Sequence, residues 1–373
     1  MLTWIEIDAE ALRNNYRVFS NLVGHDVLAP VVKANAYGHG LAEVYRALEP
    51  ENPAWLCVNY VEEAQKLRDL GFSGRVLVVG PALPEVFPVA KQTRAELTIG
   101  NFSVLDAWLI DPKGIDVHIK VDSGLSRQGF FPDEIEQVIT RIGSNLDAVK
   151  GMSMHFANVE DVTEHGYAET QLQRFSAALA VAAKHNLKLI RHASSSASTL
   201  LLQSSHFDLC RVGISLYGFW PSKATRLSWL QTHESLADLR PALQWRTKVG
   251  TVKKVRNGDF VGYGCTYRAV RDMQVAVLPI GYFEGYPRIA GDHPSYVLIR
   301  GARCPLVGRI CMNMMVVDVS HLPNIEVGDT VTLIGADGDE YLAAEDVASW
   351  AQTIQYELVT RLNPEIPRQV TDR

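Results

Sequence analysis

Cysteine is scarce in this sequence and follows no pattern. The five cysteines (Cys57, Cys210, Cys265, Cys304 and Cys311) lie far apart, and no two of them form a CxxC pair. The spacing therefore predicts neither a disulfide framework nor a zinc site. We expect reduced thiols that pack as small apolar groups, and no bound metal.

Long apolar runs and long basic runs are also missing. No stretch is apolar enough over a sufficient length to cross a bilayer, and the first ten residues carry acidic side chains instead of an apolar signal segment. The formal net charge is -6, and no Lys/Arg run offers a binding surface for nucleic acid or anionic lipid. We expect a cytoplasmic protein that binds neither nucleic acid nor membranes.

What is present is enough apolar sequence for large cores. Hydrophobic residues make up 47% and charged residues 21% of the 373 residues, a length that suits two domains. Short apolar or β-branched runs alternate with segments of helical period, as in successive βα units. Eight such runs occur, at 27–33, 55–59, 76–80, 95–99, 116–121, 148–155, 187–193 and 209–213. Helical segments between them include 61–70, with Gly71 as a stop, and 169–185.

Eight strands with intervening helices predict an α/β fold with an N-terminal (β/α)8 TIM-type barrel. An open doubly wound sheet is the alternative. After about residue 221 the pattern changes to alternating runs separated by Gly, Asp and Pro turns, at 244–249, 274–278, 296–299, 315–319 and 330–334. These predict a C-terminal, mostly antiparallel β domain with one helix at 345–353. The run 4–7 alternates too, so the predicted domains are 8–225 and 226–373, the latter joined by strand 1–7.

A barrel of this type keeps its reactive groups at the C-terminal ends of its strands. Polar residues at these ends are Lys33, Lys120, Asp122, His155, Ser194, Ser195, Arg211 and Gly213. Burial at a barrel mouth lowers the pKa of a lysine and frees its amine to form a Schiff base. The serines after the seventh strand and the backbone amides near Gly213 and Ile214 suit a phosphate monoester. Together with the imidazole of His155, these groups fit pyridoxal phosphate.

Six sequence blocks carry a sharper signal. They are VVKANAYGHG, KVDSGLSRQGF, RVGISLYG, GYGCTY, GYFEGYP and GRICMNM. In this order they resemble the signature blocks of the bacterial, pyridoxal-phosphate-dependent alanine racemases, across nearly the whole chain. The resemblance implies interconversion of L-alanine and D-alanine, which supplies D-alanine for peptidoglycan.

The resemblance also implies roles for individual residues. Lys33 is the Schiff-base lysine and, with Tyr267, one of two catalytic bases. Tyr267 is expected to enter the site of a partner subunit, which implies a head-to-tail homodimer. The implied cofactor contacts are Tyr37, His155, Ser195, Arg211, Gly213, Ile214 and Tyr356. The implied substrate contacts are Arg127, Tyr282, Tyr286 and Met312, and Lys120 matches a lysine that is often carbamylated.

Two places depart from the family pattern and one position follows it closely. The serine loop at Ser194 and Ser195 reads ASSS where the family frequently has Asn-Ser. Asn313 stands where the family usually has Asp, which removes a carboxylate near the substrate. Arg211 matches the arginine that faces the pyridine nitrogen. Because a guanidinium does not readily give up its proton, that nitrogen stays unprotonated, and return of a proton to Cα is favoured over other reactions.

Other functions stay open at this stage. A pyridoxal-phosphate-dependent decarboxylase shares the barrel and the lysine, but it would need an acid where this sequence has Arg211. A non-catalytic carrier of the cofactor would need neither Tyr267 nor a second domain. A racemase of serine, lysine or a broad set of amino acids is a third alternative, because small pocket changes alter selectivity by only a few kcal/mol.

Overall fold

The computed structural model describes residues 1–159 and 166–372. The chain divides into two compact units. We call Glu10–Ala36 with Tyr45–Pro241 the barrel unit, and Met1–Ala9, Tyr37–Val44 and Ala242–Arg373 the sheet unit.

The secondary structure follows the predicted order of elements. The strands are β1 Thr3–Asp8, β2 Leu28–Pro30, β3 Trp55–Val58, β4 Arg75–Val78, β5 Ala95–Ile99, β6 Val117–Lys120, β7 Val149–Ser153, β8 Ile190–His192, β9 Cys210–Val212, β10 Leu243–Lys248, β11 Thr251–Val255, β12 Phe260–Val261, β13 Tyr267–Arg268, β14 Met273–Leu278, β15 Tyr296–Ile299, β16 Ala302–Pro305, β17 Met315–Asp318, β18 Thr330–Asp337, β19 Glu340–Leu342 and β20 Arg368–Thr371. The α-helices are Ala9–Val23, Leu41–Leu48, Val61–Asp69, Phe87–Thr93, Phe102–Ile110, Ile135–Ile142, Gly166–Lys184, Ser196–Leu201, Lys223–Thr232, Ala344–Trp350 and Gln355–Thr360.

The barrel unit closes on itself. Strands β3 to β8 form a parallel sheet in chain order, and β2 pairs in parallel with β9. The Val32 N–H donates to the Cys57 carbonyl at 2.8 Å, which joins β2 to β3, and the Arg211 N–H donates to the Ser194 carbonyl at 3.1 Å, which joins β9 to the end of β8. Within the described residues, eight parallel strands therefore form the predicted (β/α)8 barrel and not an open sheet.

Helices cover the barrel with an apolar stripe. The helix Val61–Asp69 buries Val61, Ala64 and Leu67, which recur every three residues along one face. It ends where the sequence predicts, because Gly71 follows with a φ of +97°, a conformation that ends many helices. No helix within the described residues is long and apolar enough to cross a membrane.

The sheet unit is mostly antiparallel, as predicted. Its main sheet has the order β16-β15-β18-β10-β1-β20, and β11, β14 and β17 form a second antiparallel sheet. Strand β1 pairs with β10 antiparallel and with β20 in parallel, so the first strand joins this unit and not the barrel. The buried sides of Ile5, Ile7 and Trp245 contribute to its core.

Candidate active site

Lys33 lies just beyond the end of β2, at the start of an unusual turn. The backbone after it is left-handed, with φ of +54°, +53° and +52° at Ala34, Asn35 and Ala36, and +53° at Tyr37. Residues with a side chain rarely take this conformation, which costs roughly 1–2 kcal/mol each. The Ala36 N–H donates to the Val32 carbonyl at 2.9 Å and closes the turn around Lys33.

The Lys33 amine is surrounded mainly by cations. Burial lowers the pKa of Lys33, and the charges of Arg127 and Arg211 lower it further, whereas Glu63 and Cys57 act in the opposite direction. Less of the amine is therefore protonated at neutral pH than in a free lysine. A neutral amine is the form that forms a Schiff base or accepts a proton.

Lys120 and His155 share this cationic environment at the same end of the barrel. Burial, then Arg211 and Arg127, lower the pKa of Lys120 well below its usual range. Burial, then Lys120 and Arg211, lower the pKa of His155 well below its usual range, so its ring is neutral. The structure thus brings Lys33, Lys120, His155 and Arg211 together, with Arg127 near them. The positive charges of Arg127 and Arg211 favour an anionic ligand here.

Arg211, on β9, is buried and fixed by three hydrogen bonds. Its Nη1 donates to Nδ1 of His192 at 2.5 Å, and its Nη2 donates to the carbonyls of Met154 and Ala193 at 2.9 and 3.1 Å. Among the described residues the Nε–H group has no acceptor, so it is left for a ligand. Only 8% of the residue is exposed, which makes its orientation rigid.

Behind Arg211, a chain of hydrogen bonds crosses the barrel interior. His192 Nε2 lies 2.8 Å from Nδ1 of His118, and His118 Nε2 lies 2.8 Å from Oε2 of Glu96. Arg75 binds the same carboxylate with its Nε and Nη2, at 2.6 and 2.7 Å. These hydrogen bonds therefore connect side chains from the strands β4, β5, β6, β8 and β9.

The donors and acceptors of this chain fix both histidine tautomers. A guanidinium only donates, so His192 accepts at Nδ1 and carries its proton on Nε2. His118 then accepts at Nδ1 and donates from Nε2 to Glu96. Burial, then Arg211 and His118, lower the pKa of His192 well below its usual range, which agrees with a neutral ring.

The loops after β8 and β9 meet through one serine. Oγ of Ser196 accepts from the backbone N–H of Gly213 at 3.0 Å and of Ser215 at 3.4 Å. Ser195 directly precedes the short helix Ser196–Leu201, and Ile214 begins a short 3-10 helix, Ile214–Tyr217. The predicted phosphate residues Ser195, Gly213 and Ile214 therefore lie on two connected loops.

The sheet unit contains the other predicted site residues. The rings of Tyr37 and Tyr356 lie 6.4 Å apart, centre to centre. Tyr267, on β13, packs on the apolar cluster that includes Val261 and Met273, and its hydroxyl lies 3.8 Å from Met273 Sδ.

Two loops of the sheet unit hold Tyr282 and Met312 side by side. The Phe283 N–H donates to the Met312 carbonyl at 2.9 Å, and the Tyr282 N–H donates to the Cys311 carbonyl at 3.2 Å. A Cβ on Gly281 would come within 2.1 Å of the Cys311 oxygen, so only glycine permits this approach. Tyr282 and Met312 are exposed.

Asn313 and Tyr286 belong to the same pair of loops. Nδ2 of Asn313 donates to Oε1 of Glu284 at 2.7 Å, and Oε2 of Glu284 accepts from the Gly281 N–H at 2.8 Å. An aspartate at 313 would instead face a second carboxylate, so the amide suits this neighbour. Tyr286 is fully buried, unlike Tyr282 and Met312, so its ring is not presented to a ligand in this structure.

The sequence analysis missed Glu63, Glu96, His118 and His192. A signal for three of them was present, because Glu96, His118 and His192 are polar residues inside short buried strands, where polar groups need partners. No group of three or more His, Cys, Asp or Glu side chains that could hold a metal occurs in the part of the chain that the structure describes.

Comparison with known proteins agrees with this arrangement. Residues 7–221 match the family described as alanine racemase, N-terminal domain, and residues 242–370 match alanine racemase, C-terminal domain. The chain belongs to the alanine racemase family. The resemblance inferred from the six sequence blocks is therefore confirmed.

Members of the alanine racemase family match over nearly their full length. An alanine racemase of Leptospira interrogans is 36% identical over 382 residues, covering 99% of this chain and 96% of the relative. The solved alanine racemase of Clostridium difficile has a TM-score of 0.91 at 30% identity, over 100% of this chain and 96% of that one. The structure from Bacillus anthracis with bound L-Ala-P has a TM-score of 0.89 at 31% identity, over 100% and 95%.

Proposed function

We propose that this protein is a pyridoxal-phosphate-dependent racemase that interconverts L-alanine and D-alanine, with Lys33 and Tyr267 as its two acid-base groups. The observation that carries the proposal is a buried Arg211, fixed by His192 at the end of the barrel where the strand β2 delivers Lys33. The names of the relatives and the L-Ala-P bound to the Bacillus anthracis structure support alanine as the substrate.

The residues present fit the cofactor. The barrel unit offers an amine of lowered pKa, a buried Arg211 with a fixed orientation, and two loops that Ser196 joins and that carry Ser195, Gly213 and Ile214. Residues proposed to hold the group are Lys33, Tyr37, His155, Ser195, Arg211, Gly213, Ile214 and Tyr356. When bound, pyridoxal phosphate withdraws electrons from the Cα of the amino acid and makes its proton removable.

The protein's own groups then move that proton. Lys33 and Tyr267 are proposed to serve opposite faces of Cα, each removing a proton in one direction and returning one in the other. Arg211 does not release its proton and therefore limits electron withdrawal, which favours return of the proton to Cα. The neutral His192 behind it preserves this state, because it accepts from Arg211 at Nδ1.

Lys120 and Arg127 are proposed to act together on the substrate side. The lowered pKa of Lys120 favours a neutral amine, whose nitrogen can add to carbon dioxide with loss of one N–H proton to water. The resulting carbamate is an anion that would pair with Arg127 and orient it. We propose Tyr282 and Met312 as further substrate contacts.

Tyr267 is proposed to act in the site of a second copy, which requires a head-to-tail homodimer. The domain that supplies it is proposed to comprise residues 226–373 with strand 1–7. The biological role we propose is supply of D-alanine for peptidoglycan.

The test is incubation of the purified protein and pyridoxal phosphate with L-alanine in D2O. Formation of D-alanine with deuterium at Cα, followed by chiral chromatography and NMR, is the expected result. Lys33→Ala should abolish it, and Tyr267→Phe should reduce it by about 10²–10⁴-fold, the usual contribution of an acid-base group. Tyr263→Phe is the matched control, since Tyr263 is an exposed tyrosine in the same turn.

Two results would contradict the proposal. Release of carbon dioxide from the amino acid would indicate a decarboxylase. Cofactor absorbance without any turnover, on alanine or on serine, lysine and arginine, would indicate a carrier.

A further inference from the structure

Glu63 makes contacts on both sides of the turn that follows Lys33. Its Oε1 accepts from the Ala34 N–H at 2.6 Å, and its Oε2 accepts from the N–H groups of Asn59 and Tyr60 at 2.7 and 3.1 Å. Ala34 is the first left-handed residue after Lys33. One carboxylate therefore ties the start of the strained turn to the segment that follows β3.

This contact is strong enough to matter for the turn. The left-handed residues are strained, so surrounding contacts must hold them in place. Hydrogen bonds from N–H groups to an ionised carboxylate are about twice as strong as neutral ones. Within the described residues, the bond from Ala34 to Glu63 joins this turn directly to the helix Val61–Asp69.

Glu63 also acts on the charge of the amine. Arg127 and Arg211 face Lys33 as cations, and Glu63 and Cys57 act against them. Burial raises the pKa of Cys57 to about 12, so this thiol is uncharged at neutral pH. Glu63 is thus the carboxylate that offsets the two arginines.

We propose that Glu63 is a positioning residue for Lys33: its carboxylate fixes the left-handed turn that follows the lysine by binding the backbone N–H groups of Ala34, Asn59 and Tyr60. This role rests on the proposed function only where it concerns turnover. The position and charge of the amine can be measured without the cofactor or the substrate.

The experiment compares Glu63→Gln with wild type in three measurements. Acetylation of Lys33 by acetic anhydride is followed against pH by peptide mass spectrometry, after hydroxylamine has removed any bound aldehyde. Racemisation gives kcat and KM, and thermal unfolding gives Tm. Glu62→Gln is the matched control, because Glu62 is exposed and removes the same charge one residue away on the same helix.

The expected result separates position from stability. Glutamine keeps the shape but turns an NH2 group toward one set of backbone N–H donors, so the turn loses one side of its anchor. The acetylation midpoint of Lys33 should move to lower pH, because the anion that favours its charged form is gone. The value of kcat should fall about 10–100-fold with little change in KM, as for a reacting group that is slightly displaced. Glu62→Gln should move neither.

Other outcomes would overturn the proposal. A lower Tm with unchanged midpoint and kcat would make Glu63 a helix cap and nothing more. Equal shifts in Glu62→Gln would show a general charge effect. If Glu63→Gln does not fold, Glu63→Asp replaces it, because aspartate keeps the charge and has a shorter side chain. Glu63→Asp should leave the acetylation midpoint of Lys33 unchanged and lower kcat. A shifted midpoint with unchanged kcat would refute the role. If wild type does not racemise alanine, the proposed function fails, while the Lys33 midpoint still decides the role of Glu63.

Discussion

At the scale of single residues, Glu96 places a negative charge inside the barrel, at the end of the hydrogen bonds that lead to Arg211. Burial raises the pKa of this carboxyl, but hydrogen bonds from His118 and Arg75 outweigh that effect and leave the pKa below its usual range. Its side chain is 7% exposed. The two partners therefore keep an anion inside the barrel, and the anion in turn fixes the tautomers that reach Arg211.

We expect Glu96→Gln to lower the free energy of unfolding by about 3 kcal/mol at pH 7, because it removes a buried charge and turns an NH2 group toward a donor that the carboxylate had accepted from. A group whose pKa is lowered by folding stabilises the protein above its unfolded pKa, and that contribution is lost as pH falls through the folded pKa. The difference from wild type should therefore shrink in acid, as the pH falls through the lowered pKa of Glu96. Urea unfolding at several pH values measures it.

The control for this prediction is Glu340→Gln. Glu340 pairs with Arg303 at 2.9 Å on the surface, where a salt bridge contributes about 1 kcal/mol or less. Equal losses in the two variants would show that Glu96 is not a buried anion in solution.

At the scale of elements, the left-handed turn after Lys33 leads us to expect that a glycine substitution stabilises the protein. Ala34 is exposed and has a φ of +54°. Ala34→Gly should raise the free energy of unfolding by up to about 1 kcal/mol, because glycine takes this conformation freely. Ala177→Gly, at an exposed position of the right-handed helix Gly166–Lys184, should lower it by about 1 kcal/mol. Chemical denaturation measures the free energy of unfolding of both variants. An equal loss of stability in the two would contradict the left-handed conformation of Ala34.

The elements themselves could largely be predicted from the sequence, for a physical reason. Strands of a parallel barrel are buried on both faces and appear as short apolar runs, so the run 95–99 coincides with β5. The run of positive φ at Lys33 could not be predicted, since alanine disfavours this conformation and Asn35 alone favours a single left-handed residue and not a run of them. The distant Glu63 and the closing bond to Val32 help to stabilise it, and the local sequence does not contain that information.

The candidate site also contains residues that could be predicted from the sequence and contacts that could not. Residues at strand ends, such as Lys33 and Arg211, could be predicted because the fold places strand ends together. The chain from Arg211 to Glu96 depends on which interior side chains meet across the barrel. His118 and His192 are 74 positions apart, so their contact required the structure.

At the scale of the whole molecule, the proposed homodimer makes each site from two chains. Lys33→Ala and Tyr267→Phe should each be nearly inactive alone. When the two variants are coexpressed, about half of the dimers are mixed, and each mixed dimer has one intact site, so about a quarter of wild-type activity should return.

Coexpression of Lys33→Ala with Lys33→Arg is the control, since neither chain brings an intact Lys33. An active monomer in size-exclusion chromatography, or dimers without recovered activity, would contradict a shared site.

The position of β1 has a consequence for how the chain is made. This strand lies between β10 and β20 in the main sheet, and its partners are Leu243–Lys248 and Arg368–Thr371. During synthesis, β1 leaves the ribosome long before either neighbour exists, and at about 5–20 residues per second it waits roughly 10–70 seconds for them. The barrel between them can fold in that interval. During synthesis the protein therefore passes through a state in which the barrel is folded and β1 is still an unpaired, exposed strand. A chaperone that binds exposed strands would have its main target at this stage.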